Sequence, residues 1–150
     1  MKRFAVAISI AILCGLAPSA EAGFKDGMAA HAKGDFSTAI LEFHEAAERG
    51  NGLALFSLGF MFYKGQGVKR DPVQAYLWFN LATMYLSAGR NQDKARQNRD
   101  IVAGGMTARQ IATAEGLTKD WETRIARNLV PPSPLPMPAA GPARASGAKR

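Results

Sequence analysis

The sequence predicts an all-α fold, a short α-solenoid of antiparallel helix pairs, and three observations carry that prediction. Ala39, Phe43 and Ala46 recur 36 residues later as Ala75, Phe79 and Ala82, and Asp35 recurs as Asp71 at the same step. Periods in the thirties, with small and aromatic residues at fixed offsets, mark stacked helix pairs. Capping residues and glycine turns punctuate the chain at intervals of one short helix, and no stretch sustains the period-two alternation of a half-buried strand.

Residues 1–22 read as a cleaved signal peptide. Lys2 and Arg3 give a positive start, an apolar run of 13 residues from Phe4 to Leu16 follows, and Ala20-Glu21-Ala22 supplies the small-x-small cleavage pattern. That run is short of the ~20 residues a spanning helix needs. Cleavage after Ala22 removes Cys14, the single cysteine, and leaves 128 residues of charge +6. One cysteine also excludes a disulfide scaffold and a four-cysteine zinc site. With 47% hydrophobic and 21% charged residues, the remainder has the composition of a folded domain.

Residues 23–130 form the predicted helical domain. Asp35 caps a helix over 36–48, in which Ala39, Ile40, Phe43, Ala46 and Ala47 share one face. Gly50-Asn51-Gly52 ends it. The next helix, 53–64, has two apolar stripes: Leu55, Leu58 and Phe62 on one side, Phe56, Phe60 and Tyr63 on the other. A helix apolar nearly all round is sandwiched. Gly59 in its middle costs ~1 kcal/mol in helix propensity, and the expected compensation is close approach of a neighbouring helix. After the Gly65-Gln66-Gly67 turn, Asp71-Pro72 restarts a helix over 72–87, with Asp as cap and Pro at the first helical position. Gly89-Arg90-Asn91 closes that helix. The segment 92–103 is a polar helix with few apolar anchors. Thr107 caps a last helix, 108–128, with the stripe Ile111, Ala114, Thr118, Trp121 and Ile125 and with Gly116 as a potential bend.

Residues 131–150 are a disordered Pro/Ala-rich basic tail by composition. They begin Pro131-Pro132-Ser133-Pro134-Leu135-Pro136-Met137-Pro138, a polyproline-like run, and cannot bury enough surface to order themselves. Arg144, Lys149 and Arg150 place +3 of the net +7 there. The tail reads as a solvated spacer in preference to a membrane-surface contact. Nucleic acid is not expected as a partner, because the basic residues form no single face with interleaved aromatics.

Read together, Ala39, Phe43, Ala46-Ala47, Gly50-Asn51, Ala54, Leu58-Gly59, Phe62, Gly65-x-Gly67-Val68, Asp71, Ala75, Trp78-Phe79 and Ala82 resemble the Sel-one-like repeat family, a branch of the tetratricopeptide-like helical repeats. The resemblance is strongest from Asp35 to Ala88 and extends more loosely over 24–121. It departs from the family at Phe62, where Tyr is frequent, and in lacking the disulfide that some secreted members carry in each repeat. The resemblance implies a right-handed superhelix and an adaptor role, with partner proteins or peptides held on a concave face lined by the first helix of each pair. It also implies a second reading, since some bacterial members have been linked to peptidoglycan or penicillin-like ligands.

The chemistry visible in the sequence supports no catalytic set, metal or cofactor. His31 and His44 lie 13 apart with no ligand constellation around them. Glu42, Glu45 and Glu48 form a row on one helix edge, where a catalytic pair would flank a pocket. None of the serines sits in Gly-x-Ser-x-Gly. Gly65-Gln66-Gly67 has neither the offset glycine nor the Gly-Lys-Ser/Thr of a phosphate loop. Trp78 and Phe79 are expected in the core. Phe56, Phe60 and Tyr63 are the predicted partner-binding residues, because the other stripe of their helix already supplies a packing face. The sequence therefore leads to a non-enzymatic adaptor, periplasmic or secreted. The alternative is a receptor or weak hydrolase for cell-wall fragments, with Glu42 and Glu45 as the available acids.

Overall fold

Six helices fill the described residues, 20–127, of the computed structural model: α1 (Ala20–Ala32), α2 (Phe36–Glu48), α3 (Gly52–Lys64), α4 (Pro72–Tyr85), α5 (Arg90–Ala103) and α6 (Ala108–Ala126). Most of the signal segment and the whole Pro-rich tail lie outside the described residues. No described helix is long and apolar enough to cross a membrane.

Side-chain caps set the register of four helices. Asp35 Oδ1 accepts from the Thr38 N–H at 3.1 Å, and Asp71 Oδ1 accepts from the Val73 and Gln74 N–H groups at 2.9 and 3.1 Å. Each satisfies N–H groups that have no partner within the helix. Asn51 ends α2 as expected, its N–H donating to the Ala46 carbonyl at 3.0 Å, and its side chain also starts α3, taking the N–H groups of Leu53 and Ala54 at 3.0 Å. Thr107 and Gln110 form a reciprocal capping box at the start of α6. Gly65 closes α3 in the left-handed conformation, φ +69°.

Consecutive helices pack as pairs, α1 on α2 and α3 on α4, and α4 also receives α5 and α6. This is the predicted solenoid. Trp78, Phe43, Phe79, Leu55, Leu58, Met61 and Leu81 are its largest fully buried side chains, which places Trp78 and Phe79 in the core as expected. The close approach predicted at Gly59 is present: a methyl group there would stand 2.5 Å from Phe79 Cδ1. The same device joins α1 to α2, where a methyl at Gly27 would stand 2.6 Å from Phe43 Cδ1. Phe43 and Phe79 are equivalent positions in the repeat, so each pair is built on one phenylalanine seated in a glycine notch.

Polar groups fasten α5, the helix with few apolar anchors. Only Ala95 and Val102 of it are buried. Gln92 Nε2 donates to the carbonyls of Thr83 and Leu86 at 2.9 and 3.2 Å, capping the end of α4. Arg99 Nη1 donates to Asn80 Oδ1 at 3.3 Å, and Asn80 Nδ2 donates to Thr118 Oγ1 at 3.4 Å, tying α5, α4 and α6 together. Helix α5 starts two residues earlier than expected, at Arg90. Gly116 in α6 faces open space.

Candidate functional site

The first helices of the two pairs, α1 and α3, border a groove of about 470 Å³. Phe24 and Met28 line one wall, Leu53, Phe56 and Phe60 the other, and Phe43 of α2 lies between them. The size falls within the range of ligand-binding clefts, roughly 300–1,000 Å³. Met28 is 48% and Leu53 36% exposed, so the groove presents large apolar side chains at its rim. His31, Lys64 and Gln66 border one end, where His31 Nε2 lies 3.2 Å from Gln66 Oε1.

The aromatic wall is held rigid from behind. The Phe56 and Phe60 rings meet edge to face at 5.0 Å, and both contact the buried Phe79 ring, at 5.7 and 5.3 Å. Phe79 is in turn fixed by the Gly59 notch. Phe24 lies 5.8 Å from Phe43, centroid to centroid, which fixes the α1 wall in the same way. The repeat thus pre-forms the groove, which lowers the ordering cost of binding.

Of the three residues singled out in the sequence, Phe56 and Phe60 stand together in this groove. Tyr63 stands apart. It borders a smaller hollow between α3 and α5 with Arg70, Pro72 and Ile101, and its ring lies 5.4 Å from Lys64 Nζ and 5.6 Å from the Arg70 guanidinium carbon. Positions 56, 60 and 63 share one stripe of α3, but Tyr63 lies about 10 Å further along the axis than Phe56, at the C-terminal end of the helix, where its neighbours are Arg70, Pro72 and Ile101. Sequence reasoning missed the α1 wall, because Phe24 and Met28 belong to a helix whose contact face is made of glycines.

Glu42 and Glu45 do not line either hollow; Glu45 reaches Arg49 at 3.5 Å. Among the described residues, no three His, Cys, Asp or Glu side chains come together as a metal site would require.

A second cluster lies where α2, α4 and α6 meet. His44 sits edge-on to both Trp78 and Trp121, at 5.7 Å from each, and the two indoles meet at 5.0 Å. Arg124 stacks over Trp121 at 5.7 Å. Trp78 Nε1, Trp121 Nε1, Arg124 Nε and His44 Nε2 are all buried without a hydrogen-bond partner. Leaving a buried donor unpaired costs about 1–3 kcal/mol, and an edge-on ring is a second-order substitute. Trp78 was expected in the core, but its meeting with a histidine and a second tryptophan 43 residues further on had no local signal.

Burial holds the His44 imidazole below its ordinary value of 6.5; Glu48, whose Oε1 is 3.5 Å from Nδ1, opposes this, Arg124 adds to it and Glu45 opposes it. The native state therefore takes up the proton less readily than the unfolded chain, and stability falls as pH drops through 6.5, levelling off below the native value. Urea unfolding at pH 8 and at pH 5.5 checks this: the midpoint decreases at the lower pH, and His44→Gln reduces the decrease. An equal decrease in the variant assigns the effect to other groups.

No protein-family profile matches the chain, and no curated protein matches it. Among solved structures, the chain is similar to a protective antigen present in uropathogenic Escherichia coli strains, a protein displaying an SLR fold, with a TM-score of 0.62 and 30% sequence identity. The similarity covers 75% of this chain and 24% of that protein.

Proposed function

The chain has the Sel-one-like repeat (SLR) fold, and from that premise we propose that it is a non-enzymatic adaptor of the cell envelope that holds an apolar segment of a partner protein in the groove between α1 and α3. The observation that carries this reading is the groove itself: an apolar cleft with exposed Met28 and Leu53 at its rim and a pre-packed Phe56–Phe60 wall. Interface centres are built from such aromatic and methionine side chains. The bound segment inserts two or more apolar side chains beside Phe56 and Phe60, and its backbone meets His31, Lys64 and Gln66 at the groove end.

A peptide selected from a random displayed library on the immobilised chain provides the probe. Met28→Glu combined with Leu53→Glu is expected to weaken its binding by roughly tenfold or more, because charge at the rim must then be desolvated. Both sites are exposed, so helical circular dichroism and the thermal midpoint stay close to wild type. Leu41→Glu with Met84→Glu, two equally exposed apolar residues on α2 and α4, leaves binding unchanged. Loss of binding only in the second pair sinks the groove reading.

The compartment belongs to the same proposal. Its support is the positive start, apolar run and Ala20-Glu21-Ala22 pattern of residues 1–22. Helix α1 begins at Ala20, so cleavage after Ala22 trims its first three residues, including the Ala20 carbonyl that accepts from Asn51 Nδ2 at 3.1 Å. Phe24, Gly27 and Met28 all stay with the mature chain. Intact mass of the protein recovered from its native cell is expected to correspond to a start at Gly23; a mass that retains residues 1–22 contradicts export by cleavage.

A further inference from the structure

We infer that, when no partner is bound, the groove between α1 and α3 is filled by the chain's own proline-rich segment, residues 131–138, and that a partner binds by displacing it, an occupancy that rests on the protein-binding groove proposed above. Helix α6 leaves the domain at the end where the groove begins. Burial, and next the carboxylate of Glu115, hold the Tyr76 phenol above its ordinary value, and burial with Glu122 does the same to Tyr85. Glu115 and Glu122 thus follow Tyr76 and Tyr85 in the same order, so α6 runs parallel to α4 and the two helices end together. At that end the Tyr85 ring lies 3.6 Å from where a methyl at Gly50 would stand, and Asn51 Nδ2 donates to the Ala20 carbonyl at 3.1 Å. Leu53 and Phe24, which begin the two groove walls, follow Asn51 and Ala20 within about one helical turn.

The lengths match. Helix α6 packs on α4 and meets His44 of α2 through Trp121, while the groove lies on α1 and α3 beyond them. That is two helix spacings, about 16–20 Å. An extended chain from Arg127 to Pro134 covers about 22 Å. Residues 134–138 then span about 15 Å as polyproline helix, against about 16 Å for the α3 wall from Leu53 to Lys64.

The chemistry matches as well. No charged residue stands between Arg127 and Arg144, so no ionised side chain is desolvated when this stretch docks. Within 131–138 only Ser133, Leu135 and Met137 carry a backbone N–H, which leaves few donors to satisfy against apolar walls. Aromatic-lined grooves take polyproline chains because such chains are ordered before they bind. Leu135 and Met137 project about 120° apart on the three-residue turn, one toward each wall.

Benzoylphenylalanine at Leu135 of the purified full-length chain, irradiated at about 1 μM so that a tethered contact prevails over one between copies, is expected to crosslink within one chain to 24–31 or 53–64. The same group at Ala148 marks neither wall, and Met28→Glu with Leu53→Glu suppresses the Leu135 crosslink. Leu135→Asp with Met137→Asp is expected to raise the affinity of the library-selected peptide about fivefold, because a tethered competitor is removed. Crosslinks between two chains assign the groove to a second copy's tail and overturn the intrachain contact. An intrachain crosslink with unchanged peptide affinity overturns displacement. No crosslink to either wall overturns the proposal and leaves the groove free for a partner. A selected peptide indifferent to Met28→Glu with Leu53→Glu sinks the partner groove instead, and the Leu135 crosslink still decides the tail.

Discussion

Phe43→Ala is expected to cost about 3–5 kcal/mol, the usual loss for truncating a buried phenylalanine. The ring is 1% exposed, fills the notch at Gly27 and backs Phe24 at 5.8 Å. Its removal leaves a void, and Gly27, which faces the ring from α1, has no side chain to close the gap. A domain of this size has only about 5–15 kcal/mol to lose. With a urea dependence of about 1–3 kcal/mol per molar, the midpoint falls by about 2 M. The groove loses the side chain between its walls in the same step, so affinity for a groove-bound peptide drops even in the fraction that stays folded. A midpoint within experimental error of wild type means that α1 is not held on α2 as described.

Gly59→Ala is the second large effect, and its sign separates two forces. In an exposed helix the change stabilises by about 1 kcal/mol through propensity. Here the new methyl would stand 2.5, 2.6 and 2.9 Å from three atoms of the Phe79 ring. That ring is fully buried and held by Phe56 and Phe60, so it has nowhere to move. Overpacking of this kind costs about 1–3 kcal/mol, and at such distances the upper end applies. The net expectation is destabilisation by about 2 kcal/mol. Phe79→Leu in the Gly59→Ala background gives the double-mutant cycle: part of the loss is recovered, because the smaller side chain makes room for the methyl. A Gly59→Ala variant more stable than wild type contradicts the notch.

Both predictions rest on glycines, and glycine explains what the sequence showed and what it hid. Asp35, Asp71-Pro72 and Thr107 announced helix starts because a cap needs a particular side chain at a particular place. The 36-residue recurrence announced the pairing because Phe43 and Phe79 must occupy equivalent seats. Gly59 was legible because it interrupts an otherwise strongly apolar helix. Helix α1 was not, since its buried contact residues are Gly23, Gly27 and Ala30. A face made of notches carries almost no hydrophobic periodicity, and the same glycines look like helix breakers. Half of the groove went unseen with it.

Polar architecture was the other blind spot. Helix α5 looks weakly anchored when only apolar residues are considered, yet Gln92 and Arg99 fasten it through hydrogen bonds to residues that only the fold brings near. The His44–Trp78–Trp121–Arg124 cluster is of the same kind. Its members lie on three helices, and each alone reads as an ordinary core or surface residue. The Phe56–Phe60–Tyr63 stripe was correctly placed on one helix, but a helical stripe does not show which neighbour each member meets. Phe56 and Phe60 turn toward α1, and Tyr63 toward α5.

Site-specific photo-crosslinking tests the groove most directly. A benzoylphenylalanine placed at Met28 or Leu53, and separately at Leu41 or Met84, reports what touches each face in the cell that makes the protein. Crosslinks from the two groove positions to one segment of one protein, absent from Leu41 and Met84, are the predicted result. Crosslinks from Leu41 or Met84 with none from Met28 and Leu53 would place the partner on the opposite helices and contradict the account.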